Sequence, residues 1–203
     1  MKPYCRPAGG LPSTPTAIWQ LKLAGMKAGM LFVWMVAAVG HALAQYEPVD
    51  QGSAIEFKVK NFGFTVTGSF TGLQGFIRFD QSNLSIDSFN VSIDAASINT
   101  DNNMRDGHLR DENYFDVKNH PRIRIVSTRI TPSNKTGVLF LFGKLTIKNT
   151  VKDISFPFTA TLSGNGWLFK GQFKMNRRDF DVGGSSTISD NLEVILSVFA
   201  RKM

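Results

Sequence analysis

Ile154-Ser155-Phe156-Pro157-Phe158-Thr159-Ala160-Thr161-Leu162-Ser163 sets an apolar residue at every even position and a polar residue or proline at every odd one. Successive side chains of an extended strand point to opposite faces, so this segment has one apolar and one wettable face. A helix would need apolar residues three and four apart. The segment is therefore a half-buried β-strand, with Pro157 on the polar face marking an edge or a bulge.

The same period recurs on both sides. Downstream, Trp167, Phe169, Gly171, Phe173 and Met175 alternate with Lys170, Gln172 and Lys174, and Leu192, Val194, Leu196 and Val198 close the chain. Upstream, Leu145 and Ile147 lie between Lys144, Thr146 and Lys148. Nearer the start, Ile55, Phe57 and Val59 alternate with charged residues, and Phe64, Val66 and Phe70 share a register with Gly68. Ile77 with Phe79, then Phe89, Val91 and Ile93, repeat the pattern. Turn compositions interrupt it at Asp80–Asn83, Pro132–Lys135, Ser163–Gly166 and Gly183–Ser186. The parity switches between Ile125 and Val126, which predicts a β-bulge there. Eight or nine short strands in about 150 residues predict an all-β antiparallel barrel or sandwich.

One stretch breaks the alternation. Asn102 to Asn113 is charged, lacks β-branched residues and sets Asp106 four residues before Arg110, which predicts a short helix capped by Asp101 or Asn102. Val138 to Phe142 is apolar on both faces. It either lies under that helix, the reading favoured here because Leu109 needs a surface to pack on, or forms a subunit interface through Phe140 and Phe142.

An eight-stranded barrel is just wide enough for its own side chains or for one ligand. Seventeen phenylalanines are a heavy aromatic load for such an interior. Inward Phe57, Phe79, Phe156, Phe158, Phe169, Phe173 and Met175 either pack solidly or line an apolar tunnel, and periodicity does not decide between these. Val66, Ile93, Phe115, Leu141 and Leu145 complete the candidate wall.

The ends differ from the barrel. Met26-Lys27, the apolar run Met30 to Val39 and Ala42-Leu43-Ala44 compose a secretory signal over residues 26–44, with cleavage near Ala44. The apolar run is shorter than the roughly 20 residues of a membrane-spanning helix. Residues 1–25, rich in proline and glycine, are read as an extension upstream of the true start at Met26. Removing residues 1–44 takes Lys2, Arg6, Lys22 and Lys27 away, so the net charge falls from 23 − 16 = +7 to 19 − 16 = +3. That residual charge is too small and dispersed for a nucleic-acid footprint. The single cysteine, Cys5, is in the leader, so the domain over residues 46–203 has no disulfide, thiolate metal site or cysteine nucleophile.

Arg105, Asp106, His108, Arg110 and Asp111 suggest acid–base chemistry, but their alternating signs along one short helix fit helix-surface ion pairing and strand-end contacts better. His108 and His120 alone make a poor metal set. The glycines of Gly183–Ser186 precede no phosphate-cradling lysine. Lysines across Thr146–Lys152 read as edge protection and solubility.

Asp101-Asn102-Asn103-Met104-Arg105-Asp106-Gly107-His108-Leu109-Arg110-Asp111-Glu112-Asn113-Tyr114-Phe115, followed by Asp116-Val117 and Pro121, closely resembles a segment of the YceI-like family of lipid- or polyisoprenoid-binding bacterial periplasmic proteins. Gly143–Ile147 with Lys152, Asn176-Arg177-Arg178-Asp179-Phe180, and Ser189-Asp190 to Val194 resemble further family segments in the same order. The likeness spans about residues 46–203. It implies an extended lipocalin-like antiparallel barrel with an apolar tunnel for an isoprenoid chain, frequent dimers, and structural roles for Arg105, Asp106, His108, Leu109, Arg110, Phe115, Asp116, Arg178, Asp179 and Phe180. Three positions depart from the family pattern: Asn149-Thr150 where a turn glycine is usual, Asp181 at another glycine position, and Asn61 where histidine is common.

The expectation is a non-enzymatic periplasmic or secreted protein that sequesters a long apolar chain: a polyisoprenoid, an isoprenoid quinone or a fatty acyl group. It needs no metal or cofactor beyond a bound lipid, and its mature form has no membrane span and no nucleic-acid partner. The rival expectation is an interaction barrel with a filled core, acting through a homodimer or partner face.

Overall fold

The computed structural model describes residues 44–184 and 187–203. The predicted extension, all of the signal segment but Ala44, and Ser185-Ser186 of the last predicted turn lie outside the described residues. Among the described residues, nine strands follow in order: β1 Gln45–Asn61, β2 Phe64–Phe70, β3 Gln74–Arg78, β4 Ser88–Asp94, β5 Arg122–Pro132, β6 Leu139–Ile147, β7 Thr150–Ser163, β8 Gly166–Asn176 and β9 Ile188–Lys202. One helix, α1 Asn103–Arg110, stands between β4 and β5, and short 3-10 turns span Leu84–Ile86, Ala95–Ser97 and Arg177–Phe180.

All strand pairs are antiparallel, and β1 pairs with β9 from Tyr46↔Lys202 to Asn61↔Ile188, closing the sheet. The closed ring runs β1-β3-β4-β5-β6-β7-β8-β9, while β2 is paired to the second half of β1 from Ile55↔Phe70 to Asn61↔Phe64. Closure satisfies strand edges that would otherwise template aggregation. One edge stays partly open. Thr150 to Pro157 pair only with β6, and pairing with β8 begins at Phe158↔Gly171. Pro157 thus ends an unpaired stretch, where a missing N–H does least harm.

Two expectations are corrected. The bulge is at Thr128: pairing with β6 runs evenly to Ser127↔Gly143 and resumes at Arg129↔Phe142. Ile125 keeps the inward register, and the half-buried outer Val126 disguised where the parity changes. Nor does α1 cover the outer face of β6. Leu109 packs with Ile55, Phe70, Leu73 and Ile98 instead. Phe140 and Phe142 lie beside each other, 6.4 Å apart, with the Arg129 guanidinium 4.3 Å from the Phe142 ring centre. A cation over an aromatic face supplies part of the cover that the helix was expected to give.

One end of the barrel is solid. Phe79 meets Trp167 at 4.9 Å and Phe169 at 5.2 Å, while Phe89 meets Phe169 at 5.0 Å and Phe158 at 5.6 Å, mostly edge to face. These are favourable aromatic geometries, and Ile77 and Ala200 fill the space between them. Near the other end, Gly68 holds an apolar register position because a Cβ there would lie 2.3 Å from Phe57 Cζ. The ring of Phe57 uses that space.

The loop before β4 carries a titrating group. Asp87 is 9 % exposed, its Oδ1 accepts from the Asp80 N–H at 2.7 Å, and its Oδ2 has no partner among the described residues. Burial pushes its pKa up from 3.8 to about 6, with the nearby Asp80 charge adding to the rise. The folded state therefore binds this proton more tightly than the unfolded chain, and the stability it contributes is lost as pH rises from about 4 to about 6. Asp87→Asn is expected to remove that loss, leaving the variant more stable than wild type at pH 7 by about 1–2 kcal/mol and no more stable at pH 4. Urea unfolding at both pH values checks this.

Candidate ligand cavity

Between the aromatic plug and α1 the barrel is hollow. The cavity has a volume of about 540 Å³, inside the range of small-molecule sites. Inward positions of the strands form its wall. Phe57 comes from β1, Val66 from β2, Ile93 from β4, Leu141 and Leu145 from β6, Phe156 and Phe158 from β7, and Phe169, Phe173 and Met175 from β8. Phe115, from the loop after α1, joins them and meets Phe70 edge-on at 5.7 Å. Phe79 is corrected: it belongs to the plug and is not part of this wall. The solid and hollow alternatives are thus both realised, at different depths of one barrel.

The wall residues missed from the sequence include those of β9. Leu192, Val194, Leu196 and Val198 face the cavity, as does Val59 of β1. Their alternation was visible in the sequence, and closure through β1–β9 pairing is what turns it inward.

The rim is polar and built by α1. The Asn102 carboxamide caps this helix by accepting from the Arg105 N–H at 3.0 Å. Asp106, 3 % exposed, accepts from the Thr100 N–H at 2.9 Å and from its hydroxyl at 2.5 Å. Arg105 donates from Nε to the Thr100 hydroxyl at 2.7 Å, and Arg110 donates to the Ala96 and Ile98 carbonyls at 2.8 and 2.9 Å. Of the expected surface ion pairing and strand-end contacts, Asp106 and Arg110 make the second kind: each separately anchors the segment that follows β4. The loop's backbone groups are the better partners because they would otherwise be buried unpaired. Thr100, Asn102, Met104, Arg105 and His108 all border the cavity, and exposed Asn102, Met104 and His108 place its opening beside α1. Asp116 lies in the following loop at φ 45, 3.6 Å from His120.

The other end of the rim depends on Arg177. It is 5 % exposed and donates to the carbonyls of Val182, Ile188 and Ser189 and to Asp190 Oδ1, at 2.8 to 3.2 Å. The sequence reading singled out Arg178, Asp179 and Phe180. Phe180 is buried with Leu145, Ile147 and Val182, but Arg178 and Asp179 are exposed. Neighbouring arginines are alike in a sequence; only the turn direction distinguishes them. Asp181 does adopt the left-handed conformation, φ 53, that favours glycine. At the preceding hairpin the left-handed residue is Lys148, φ 53, and Asn149 is not in that region. The Lys148 ammonium also donates to the Glu112 and Asp181 carbonyls at 3.3 and 3.1 Å, so it ties two loops together beyond any role in solubility.

Among the described residues no cluster of three His, Cys, Asp or Glu side chains could hold a metal, and no helix is long and apolar enough to cross a membrane. The arrangement offers apolar surface.

Comparison with known proteins agrees with this geometry. The YceI-like domain model matches residues 46–200. A UPF0312 protein of Pectobacterium atrosepticum is 31 % identical over 180 residues, covering 82 % of this chain and 91 % of the relative. The crystal structure of Burkholderia cenocepacia BcnA is 25 % identical, covers 74 % of this chain and 98 % of its own, and superposes with a TM-score of 0.70. A structure from Saccharophagus degradans, described as a polyisoprenoid binding domain implicated in plant cell wall breakdown, shares the fold at 14 % identity, with a TM-score of 0.61 and coverage of 79 % and 99 %.

Proposed function

The chain belongs to the YceI-like family, and from that premise we propose that it is an exported carrier that sequesters one long apolar chain, of the isoprenoid or fatty acyl class, in its barrel. The observation that carries this reading is the hollow, apolar stretch of barrel between the aromatic plug and α1. Each buried CH₂ contributes about 0.8 kcal/mol, so a chain of ten or more carbons binds tightly with few polar contacts. The Saccharophagus degradans neighbour, described as a polyisoprenoid binding domain, supports the ligand class. Export is supported by the signal-like leader and by β1 starting at Gln45, directly after the expected cleavage site. Binding rather than catalysis is the activity that family and cavity favour.

Titration with an isoprenoid quinone and with a C16 fatty acid tests the reading. Saturable binding of one molecule per barrel is expected, and absence of binding to either class would defeat it. The rival partner-face reading rests on Phe140 and Phe142. The double variant Phe140→Ser, Phe142→Ser is expected to bind ligand as wild type does, because both rings lie outside the cavity. Its sedimentation coefficient shows whether that face also joins two copies.

A further inference from the structure

The most exposed large apolar side chains flank the cavity opening. The β1–β2 hairpin turns through Phe62 and Gly63, at φ 48 and 82, and leaves Phe62 74 % and Phe64 78 % exposed. Asn61 and Val66, on either side of this tip, border the cavity, and so does Met104 of α1, itself 76 % exposed. Two positive φ values in a two-residue hairpin favour Asn-Gly, and a bulky aromatic at the first is costly. Phenylalanine there serves neither the turn nor the core.

We propose that this tip inserts into the surface of a lipid bilayer and sets the cavity mouth against it, so that an apolar chain passes between membrane and barrel without crossing water. The proposal rests on the carrier reading above. Three observations select a bilayer over a protein partner. The tip is a narrow convex protrusion, whereas stable protein docking buries roughly 800 Å² on each side. Its charge suits an anionic surface: beyond Glu56, the charged residues of the two hairpin arms are Lys58 and Lys60, both positive. Of the nearby acids on β9, Glu193 stands opposite Lys58 and Asp190 is bonded by Arg177, which leaves exposed Lys60 nearest the tip. Finally, the tip is continuous with an opening whose interior is apolar.

Phe62→Asn with Phe64→Thr tests this without unfolding the hairpin, since Asn-Gly suits the turn and threonine suits a strand. Protein purified as its own host leaves it is floated with 3:1 phosphatidylethanolamine–phosphatidylglycerol vesicles, and uptake of an isoprenoid quinone is timed from those vesicles and from detergent. Wild type is expected to float. The double variant should partition at least tenfold more weakly and take quinone from vesicles at least tenfold more slowly, with equal binding from detergent and an unchanged or higher melting temperature. Equal flotation and equal transfer by the two proteins would overturn the proposal. So would a wild type that stays off the vesicles and forms a dimer the variant lacks, because a second copy would then cover the tip. If neither protein takes quinone from detergent, the carrier reading fails, and flotation alone still decides the docking.

Discussion

Leu192→Trp combined with Val194→Trp is expected to weaken ligand binding by about a thousandfold while the barrel remains folded. Both residues line the cavity and neither belongs to a packed core cluster, so the space beside them is free to take larger side chains. Their register is inward: Val194 stands opposite Phe57 on β1 and Phe173 on β8, and Leu192 opposite Val59 and Met175. Two indoles directed inward occupy volume that a ligand chain would need. Excluding about five methylenes removes about 4 kcal/mol of transfer free energy, which is roughly three decades in Kd. Added apolar contact offsets strain in the side chains that must shift, so a change in stability of no more than about 1–3 kcal/mol is expected. Quinone titration with parallel thermal melts checks both parts. Wild-type affinity in a folded variant would place the ligand elsewhere.

Arg177→Met should produce the largest loss of stability, about 3–5 kcal/mol, whereas Arg178→Ala should stay within about 0.5 kcal/mol of wild type. The Arg177 guanidinium is the hub for a whole loop. It satisfies carbonyls at Val182, Ile188 and Ser189 and reaches Asp190, which link the 3-10 turn at Arg177–Phe180 to the start of β9. Methionine matches much of the volume but donates to none of these acceptors, of which the Val182 carbonyl is buried, and a buried polar group left without its partner costs about 1–3 kcal/mol. Arg178 is exposed, and what its backbone N–H makes, a bond to the Asn176 side chain at 2.9 Å, survives truncation to alanine. Guanidinium chloride unfolding of both variants separates the two arginines cleanly. A reversed order of effects would contradict the structure at this turn.

The contrast between these arginines shows where sequence reading stops. Period-two alternation is a backbone property, so Ile154 to Ser163 and its counterparts disclosed strands, faces and the all-β class directly. The capping of α1 was equally local, since Asn102 needs only its own helix to act on. Non-local consequences were hidden. The bulge at Thr128 depends on which β6 residue lies opposite, and the destination of Leu109 depends on how the loop from Ile98 returns to β2. Phe79 and Phe169 each stand two residues after an inward apolar residue, Ile77 and Trp167, yet only Phe169 reaches the cavity. The part of the wall that was legible was so because inward parity identifies it. Whether inward residues meet or leave room depends on ring radius and on where the plug ends, and neither is encoded in any one strand.

Gentle purification of the protein from its own host, native mass spectrometry and solvent extraction of whatever accompanies it is the most direct test of the carrier role. One apolar chain-bearing molecule per barrel, absent from Leu192→Trp, Val194→Trp protein prepared the same way, is the predicted result. A wild type that travels empty and takes up neither quinone nor fatty acid when these are supplied would contradict it.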